Sequence, residues 1–125
     1  MSGIVLDTDI VIEILRGRNQ SLIARWRHLA ASETELLYTP ITLAELWHGM
    51  RPKEEEATEM LLANLNCLPL TPEVGRLAGQ YLQRFQPAHG VQLGDALIAA
   101  IASIYGCPLW TRNRKHYPMK DIAFF

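Results

Sequence analysis

Three carboxylates stand at positions where an acid needs a reason. Asp7 ends the short apolar run Gly3-Ile4-Val5-Leu6, Glu45 falls in Thr42-Leu43-Ala44-Glu45, and Asp95 immediately precedes the unbroken apolar stretch Ala96 to Ala102. If the three meet, they repel one another, and without a counter-charge some must stay protonated. A bound divalent cation removes that conflict. An all-oxygen donor set favours Mg²⁺, with Mn²⁺ as the alternative, over zinc. His28, His48, His89 and His116 show no metal-ligand spacing. Metal held by acids suits phosphodiester hydrolysis, because the ion acidifies a water for in-line attack and offsets charge on the leaving oxygen. The chain has no phosphate-cradling Gly-rich loop and no Ser or Cys nucleophile elbow.

Each acid has a plainer explanation as well. Asp95 serves the dipole and free N–H groups of the helix it opens. Thr42-Leu43-Ala44-Glu45 has the sequence of a capping box, with the Glu side chain returning to the N-cap amide. Asp7 suits an Asx turn, which Thr8 and Asp9 would serve equally well. What separates these explanations from metal chemistry is whether the three acids converge, and that depends on the elements carrying them.

Strand-like and helix-like patterns alternate along the chain. Gly3 to Leu6 reads as a buried parallel strand. A short helix over 9–16 follows, closed by Gly17, and a second places Leu22, Ile23, Trp26, Leu29 and Ala30 on one face, with Asn19 or Ser21 as N-cap. Leu36 to Thr39 is a second strand whose pairing Pro40 ends, and Thr42 opens a helix through Met50. An amphipathic helix over 53–65, a third strand over 67–70 and a helix starting at Thr71-Pro72-Glu73 come next. That last helix buries Leu77, Ala78, Tyr81, Leu82 and Phe85, and 87–92 is read as a loop. Gly94 to Tyr105 is a helix apolar on nearly every side, capped by Gly106; Pro108 to Trp110 is a fourth strand, and Ile122 to Phe125 adds an edge strand. The expected architecture is α/β, with a mostly parallel sheet of four to five strands and helices on both faces.

In such a sheet, ligands bind at the carboxyl ends of the strands, where the N-termini of the connecting helices also lie. Asp7 follows strand one, and Glu45 sits in the first turn of the helix after strand two. Asp95 opens the helix feeding strand four, and Thr111 and Asn113 follow that strand directly. All are therefore expected on one rim. Arg112, Arg114, Lys115 and His116, with Arg16 and Arg18 after the first helix, offer a phosphate track beside the acids. Their plainer reading is a solvated charged loop.

The 125 residues suit one domain spanning 1–125, with 49% hydrophobic and 20% charged residues, enough apolar material for a core. The formal net charge of −1 excludes nucleic-acid binding by bulk attraction alone, though not through local basic patches. Cys67 and Cys107 are too far apart to staple a small secreted scaffold. No apolar run approaches the ~20 residues of a membrane span, and the start of the chain lacks a signal-peptide pattern. A cytoplasmic protein with reduced thiols and no membrane contact is expected.

Val5-Leu6-Asp7-Thr8-Asp9, Thr42-Leu43-Ala44-Glu45-Leu46-Trp47-His48-Gly49, Asp95-Ala96-Leu97-Ile98-Ala99-Ala100 and Thr111-Arg112-Asn113-Arg114-Lys115-His116-Tyr117 occur in the order seen in PIN domains. Over essentially its whole length the chain resembles a VapC-type ribonuclease toxin of a type II toxin–antitoxin pair. The resemblance implies a Mg²⁺- or Mn²⁺-dependent endoribonuclease acting on structured RNA such as transfer or ribosomal RNA. It implies inhibition by a VapB-like antitoxin over the active-site groove, a homodimer, and a larger toxin–antitoxin assembly. Residue by residue, it implies Asp7 and Asp95 as the principal metal ligands and Glu45 as the third acid. Asn113 matches the fourth, catalytic position, Thr8 and Thr111 the hydroxyls that orient the acids, and Asp9 a supporting acid. Two departures stand out. Asn113 supplies no full charge, which puts a tightly held second metal in doubt. Tyr117 replaces the family's usual Phe, a change expected to leave its packing role intact.

Two other classes remain open. A catalytically silent PIN-like module would bind RNA or protein without needing all three acids. A receiver-like phosphoacceptor would pair acids near its start and place a Lys after the last strand, where this chain has Thr111-Arg112.

Overall fold

A computed structural model describes residues 3–125; positions 1 and 2 of the expected 1–125 domain lie outside the described residues. β1 (Gly3–Leu6), β2 (Glu35–Tyr38), β3 (Asn66–Cys67) and β4 (Leu109–Trp110) form one parallel sheet in the order β3-β2-β1-β4. Its helices are α1 (Thr8–Arg16), α2 (Gln20–Ala30), α3 (Pro40–Gly49), α4 (Glu55–Leu62), α5 (Pro72–His89) and α6 (Leu93–Tyr105).

Side chains alternate across a strand, and here both faces are buried. Ile4 and Leu6 of β1, Leu36 of β2 and Trp110 of β4 pack with apolar residues of α1 to α4. Val5, Leu37 and Leu109, one residue out of phase, pack with α5 and α6. The registers Ile4↔Leu36, Val5↔Leu37 and Leu6↔Trp110 keep that parity across the sheet. Gly3 lets β1 and β2 pack closely, since a Cβ there would lie 2.9 Å from Leu37 Cδ1 and push that methyl aside.

Several boundaries differ from the sequence expectation for identifiable reasons. α3 begins at Pro40, not Thr42: Pro suits the first helical position, and Thr39 Oγ1 accepts from Thr42 N at 3.3 Å. Glu45 therefore lies in the second turn, and the Thr42–Glu45 capping box does not form. The helix expected over 53–65 is a 3₁₀ turn, Pro52–Glu54, followed by α4, which ends in tight i−3 bonds from Asn64 to Leu61 and Leu65 to Leu62. β3 stops at Cys67, and Leu68 N makes a last bond to Tyr38 O (2.9 Å) before Pro69, which has no N–H to offer.

The expected loop over 87–92 is partly helix. α5 continues through Pro87 to His89 before Gly90 closes it at φ 64°. Pro87 is exposed and lies in the last turn, so its missing donor costs only one helical bond. The tail contributes a single parallel bridge, Leu109↔Phe124, rather than a full edge strand. Among the described residues no helix is long and apolar enough to cross a membrane.

Candidate active site

Asp7 leaves the carboxyl end of β1 and caps α1. It is 7% exposed, and three donors hold it. Thr8 N donates to Oδ1 at 2.8 Å, while Thr111 Oγ1 and Tyr117 Oη each donate to Oδ2 at 2.8 Å. Thr111 follows β4 directly, so its hydroxyl reaches Asp7 because β1 and β4 are neighbours.

Asp95 stands at the third position of α6, whose interior (Ala96, Ile98 to Ala102) is buried. Its Oδ1 lies 3.4 Å from Tyr117 Oη and its Oδ2 3.7 Å from His116 Nδ1. Burial, then the charge of Asp7, pushes the Asp95 carboxyl above its ordinary range, and His116 and the Tyr117 hydrogen bond offset this only in part. Asp9 is pushed up by the same two causes in the same order. Its Oδ2 accepts from Arg112 N and Asn113 Nδ2, both at 3.0 Å, and its buried Oδ1 has no hydrogen-bond partner among the described residues.

Glu45 comes from α3. Thr8 Oγ1 donates to its Oε1 at 2.6 Å and stands 2.9 Å from Thr42 Oγ1. Thr42, 0% exposed, thus faces the interior and braces Thr8. Asp7, Asp9, Glu45, Asp95, Asn113 and His116 all line one cleft of about 370 Å³. The parallel topology thus brings acids from three separate elements to one rim.

The cations expected nearby are largely engaged elsewhere. Arg112 Nη1 lies 3.1 Å and Arg16 Nη1 3.8 Å from the same Glu13 Oε2. Arg114 donates to Phe125 O at 3.2 Å and stacks over Phe124. Arg16 lines a neighbouring groove, whereas Arg18 and Lys115 are exposed. Of the six, only His116 lines the acid cleft.

Tyr117 does more than the packing its place in the sequence predicts, because its hydroxyl lies against both Asp7 and Asp95. The one sequence signal was a hydroxyl where a hydrocarbon ring would serve.

The site fits a hard divalent cation by the chemistry of its donors. The acids facing the cleft are oxygen ligands, and the Asp7–Asp95 repulsion is the kind a cation relieves. Among the described residues no three His, Cys, Asp or Glu side chains are drawn together tightly enough to enclose an ion. A cation here would take few protein ligands and keep coordination positions for water or phosphate, as Mg²⁺ commonly does.

The PIN domain family model matches residues 4–124. Ribonuclease VapC10 of Mycobacterium tuberculosis strain H37Rv is 36% identical over 93% of this chain and 86% of its own length. VapBC2 from Rickettsia felis, solved bound to a promoter DNA fragment, superposes with a TM-score of 0.84 at 19% identity, covering 98% of this chain and 97% of that one. A toxin–antitoxin complex from Klebsiella pneumoniae superposes at 0.75 with 23% identity, covering 95% and 94%. With a family model over nearly every residue and a VapC ribonuclease matching across almost its whole length, the chain belongs to the PIN domain family.

Proposed function

We propose that this protein is the toxin of a type II toxin–antitoxin pair, a Mg²⁺-dependent endoribonuclease cutting transfer or ribosomal RNA and neutralised by a VapB-like antitoxin. The observation that carries this reading is the pairing of Asp7 with Asp95 through one phenol in a cleft that Glu45 also lines. The ribonuclease name of VapC10 and the paired toxin and antitoxin of the K. pneumoniae structure support it. The protein acts in the cytoplasm, as a homodimer that joins its antitoxin in a larger assembly.

Asp7 and Asp95 would hold the Mg²⁺, or Mn²⁺ in its place, with Glu45 as the third acid. When bound, the ion supplies a Lewis acid that eases ionisation of water and offsets charge on the phosphate. The chain's own part is positioning. Thr8 N, Thr111 and Tyr117 fix Asp7 before substrate arrives. Glu45, anchored at Oε1 by Thr8, orients the attacking water and takes its proton at Oε2. Asn113 is held by Asp9 and presents an uncharged amide to the cleft. His116 faces the same space. Cleavage leaves a 5′-phosphate and a 3′-hydroxyl.

The test is cleavage of total cellular RNA by antitoxin-free protein, with Mg²⁺, with EDTA, and with Asp95→Asn and Asp7→Asn. Discrete fragments that vanish with EDTA and fall ~100-fold or more in both variants are expected. Clean RNA binding without cleavage would instead identify a silent module. Cleavage that survives both substitutions would place the active site elsewhere.

A further inference from the structure

The fold explains the ring of Tyr117 but not its hydroxyl. The ring is 3% exposed, packs edge-on to Phe124 with centroids 6.5 Å apart, and shares a core with Val91, Ala96 and Ala99. A phenylalanine would fill that space equally well. The hydroxyl instead leaves the core for the acid rim, 2.8 Å from Asp7 Oδ2 and 3.4 Å from Asp95 Oδ1. A phenol carries one proton, so the shorter contact takes it and the longer one is a weak secondary contact. Asp7 follows β1, Asp95 lies in the first turn of α6 and Tyr117 lies beyond β4. One oxygen therefore stands between two acids remote in the chain and is bonded to Asp7.

The consequence for Asp7 follows from counting acceptor sites. Its Oδ2 receives two hydroxyls, Thr111 and Tyr117, which occupy both lone pairs. Its Oδ1 receives only Thr8 N among the described residues, so one lone pair remains there. We propose that Tyr117 is a positioning residue for the metal-holding acid Asp7: it saturates Asp7 Oδ2 and restricts Asp7 to ligation through Oδ1. This inference rests on the metal-dependent reading above. It does not require Tyr117 to touch substrate or ion. Groups that orient a ligating carboxylate commonly change metal affinity by ~10–100-fold when removed.

The experiment is a Mn²⁺ titration of the purified full chain, followed by the loss of free-ion paramagnetic signal, for wild type, Tyr117→Phe and Asp95→Asn. Tyr117→Phe is expected to unfold cooperatively and to bind Mn²⁺ ~10–100-fold more weakly. A hydroxyl with a merely structural role would lower the unfolding temperature and leave the Mn²⁺ affinity unchanged, and that result overturns the proposal. If Tyr117→Phe does not fold, the wild type still decides. The ring-carbon resonance next to the Tyr117 hydroxyl must move with Mg²⁺ at the midpoint of binding, and an unmoved resonance overturns the proposal as well. Wild type that takes up no Mn²⁺, or Asp95→Asn that binds as tightly as wild type, overturns the metal-site reading and this inference together. Binding weakened in Asp95→Asn but not in Tyr117→Phe overturns this inference alone.

Discussion

The hydroxyl of Thr8 donates to Glu45 Oε1 at 2.6 Å, while its backbone N–H donates to Asp7 Oδ1 at 2.8 Å. One residue thus holds two acids that lie 38 positions apart, one through its main chain and one through its side chain. Thr8→Val preserves shape and helix position but removes the hydroxyl, leaving Glu45 unanchored and the buried Thr42 hydroxyl without its neighbour. Stability is expected to fall by about 1–2 kcal/mol, read from urea unfolding. RNA cleavage is expected to fall ~10-fold or more, and Thr8→Ser should recover most of it. Full-speed cleavage by Thr8→Val would show that Glu45 needs no anchor.

The metal-free acids make stability depend on pH in a definite direction. Burial and Asp7 raise the Asp95 pKa above its unfolded value near 3.8. The folded chain therefore binds this proton more tightly than the unfolded chain. The resulting stability is complete below the unfolded pKa and is lost as pH rises through the folded one. Asp9 shifts in the same sense. A cation takes the ionised form, so it restores what ionisation removed. The rise in unfolding temperature on adding Mn²⁺ should be larger at about pH 7.5 than at about pH 5, and should flatten in Asp95→Asn. Scanning fluorimetry checks this; an equal rise at both pH values would contradict it.

A second phenol–acid pair has a different role. Tyr81 Oη donates to Asp121 Oδ2 at 2.6 Å, and Ser103 Oγ reaches the same oxygen at 3.2 Å, tying the tail to α5 and α6. Burial, reinforced by that hydrogen bond, raises the Tyr81 phenol to about 12, so it remains a donor at ordinary pH. Tyr81 and Asp121 line a groove separate from the acid cleft. Tyr81→Phe should cost about 1 kcal/mol of stability and leave RNA cleavage unchanged. A several-fold loss of cleavage would mean that the latch at Asp121 controls the placement of Tyr117.

The elements whose signals are local are legible in the residues alone. β1 is an apolar run ended by an acid, Gly17 and Gly106 close helices at positive φ, and Thr71-Pro72 starts α5. Alternation of those elements implies a parallel sheet, and a parallel sheet sends Asp7, Glu45 and Asp95 to one edge. That much follows from periodicity and chain direction. One helix start differs from the expectation at Thr42: α3 opens at Pro40, where proline suits the first helical position and the Thr39 hydroxyl accepts from Thr42 N. The tertiary structure alone assigned the partners of groups far apart in sequence: Tyr117 to Asp7 across 110 positions, Arg112 to Glu13, and Asn113 to Asp9. A hydrogen bond or ion pair of that span leaves no periodic trace, because it exists only where packing brings the donor within about 3 Å of its acceptor.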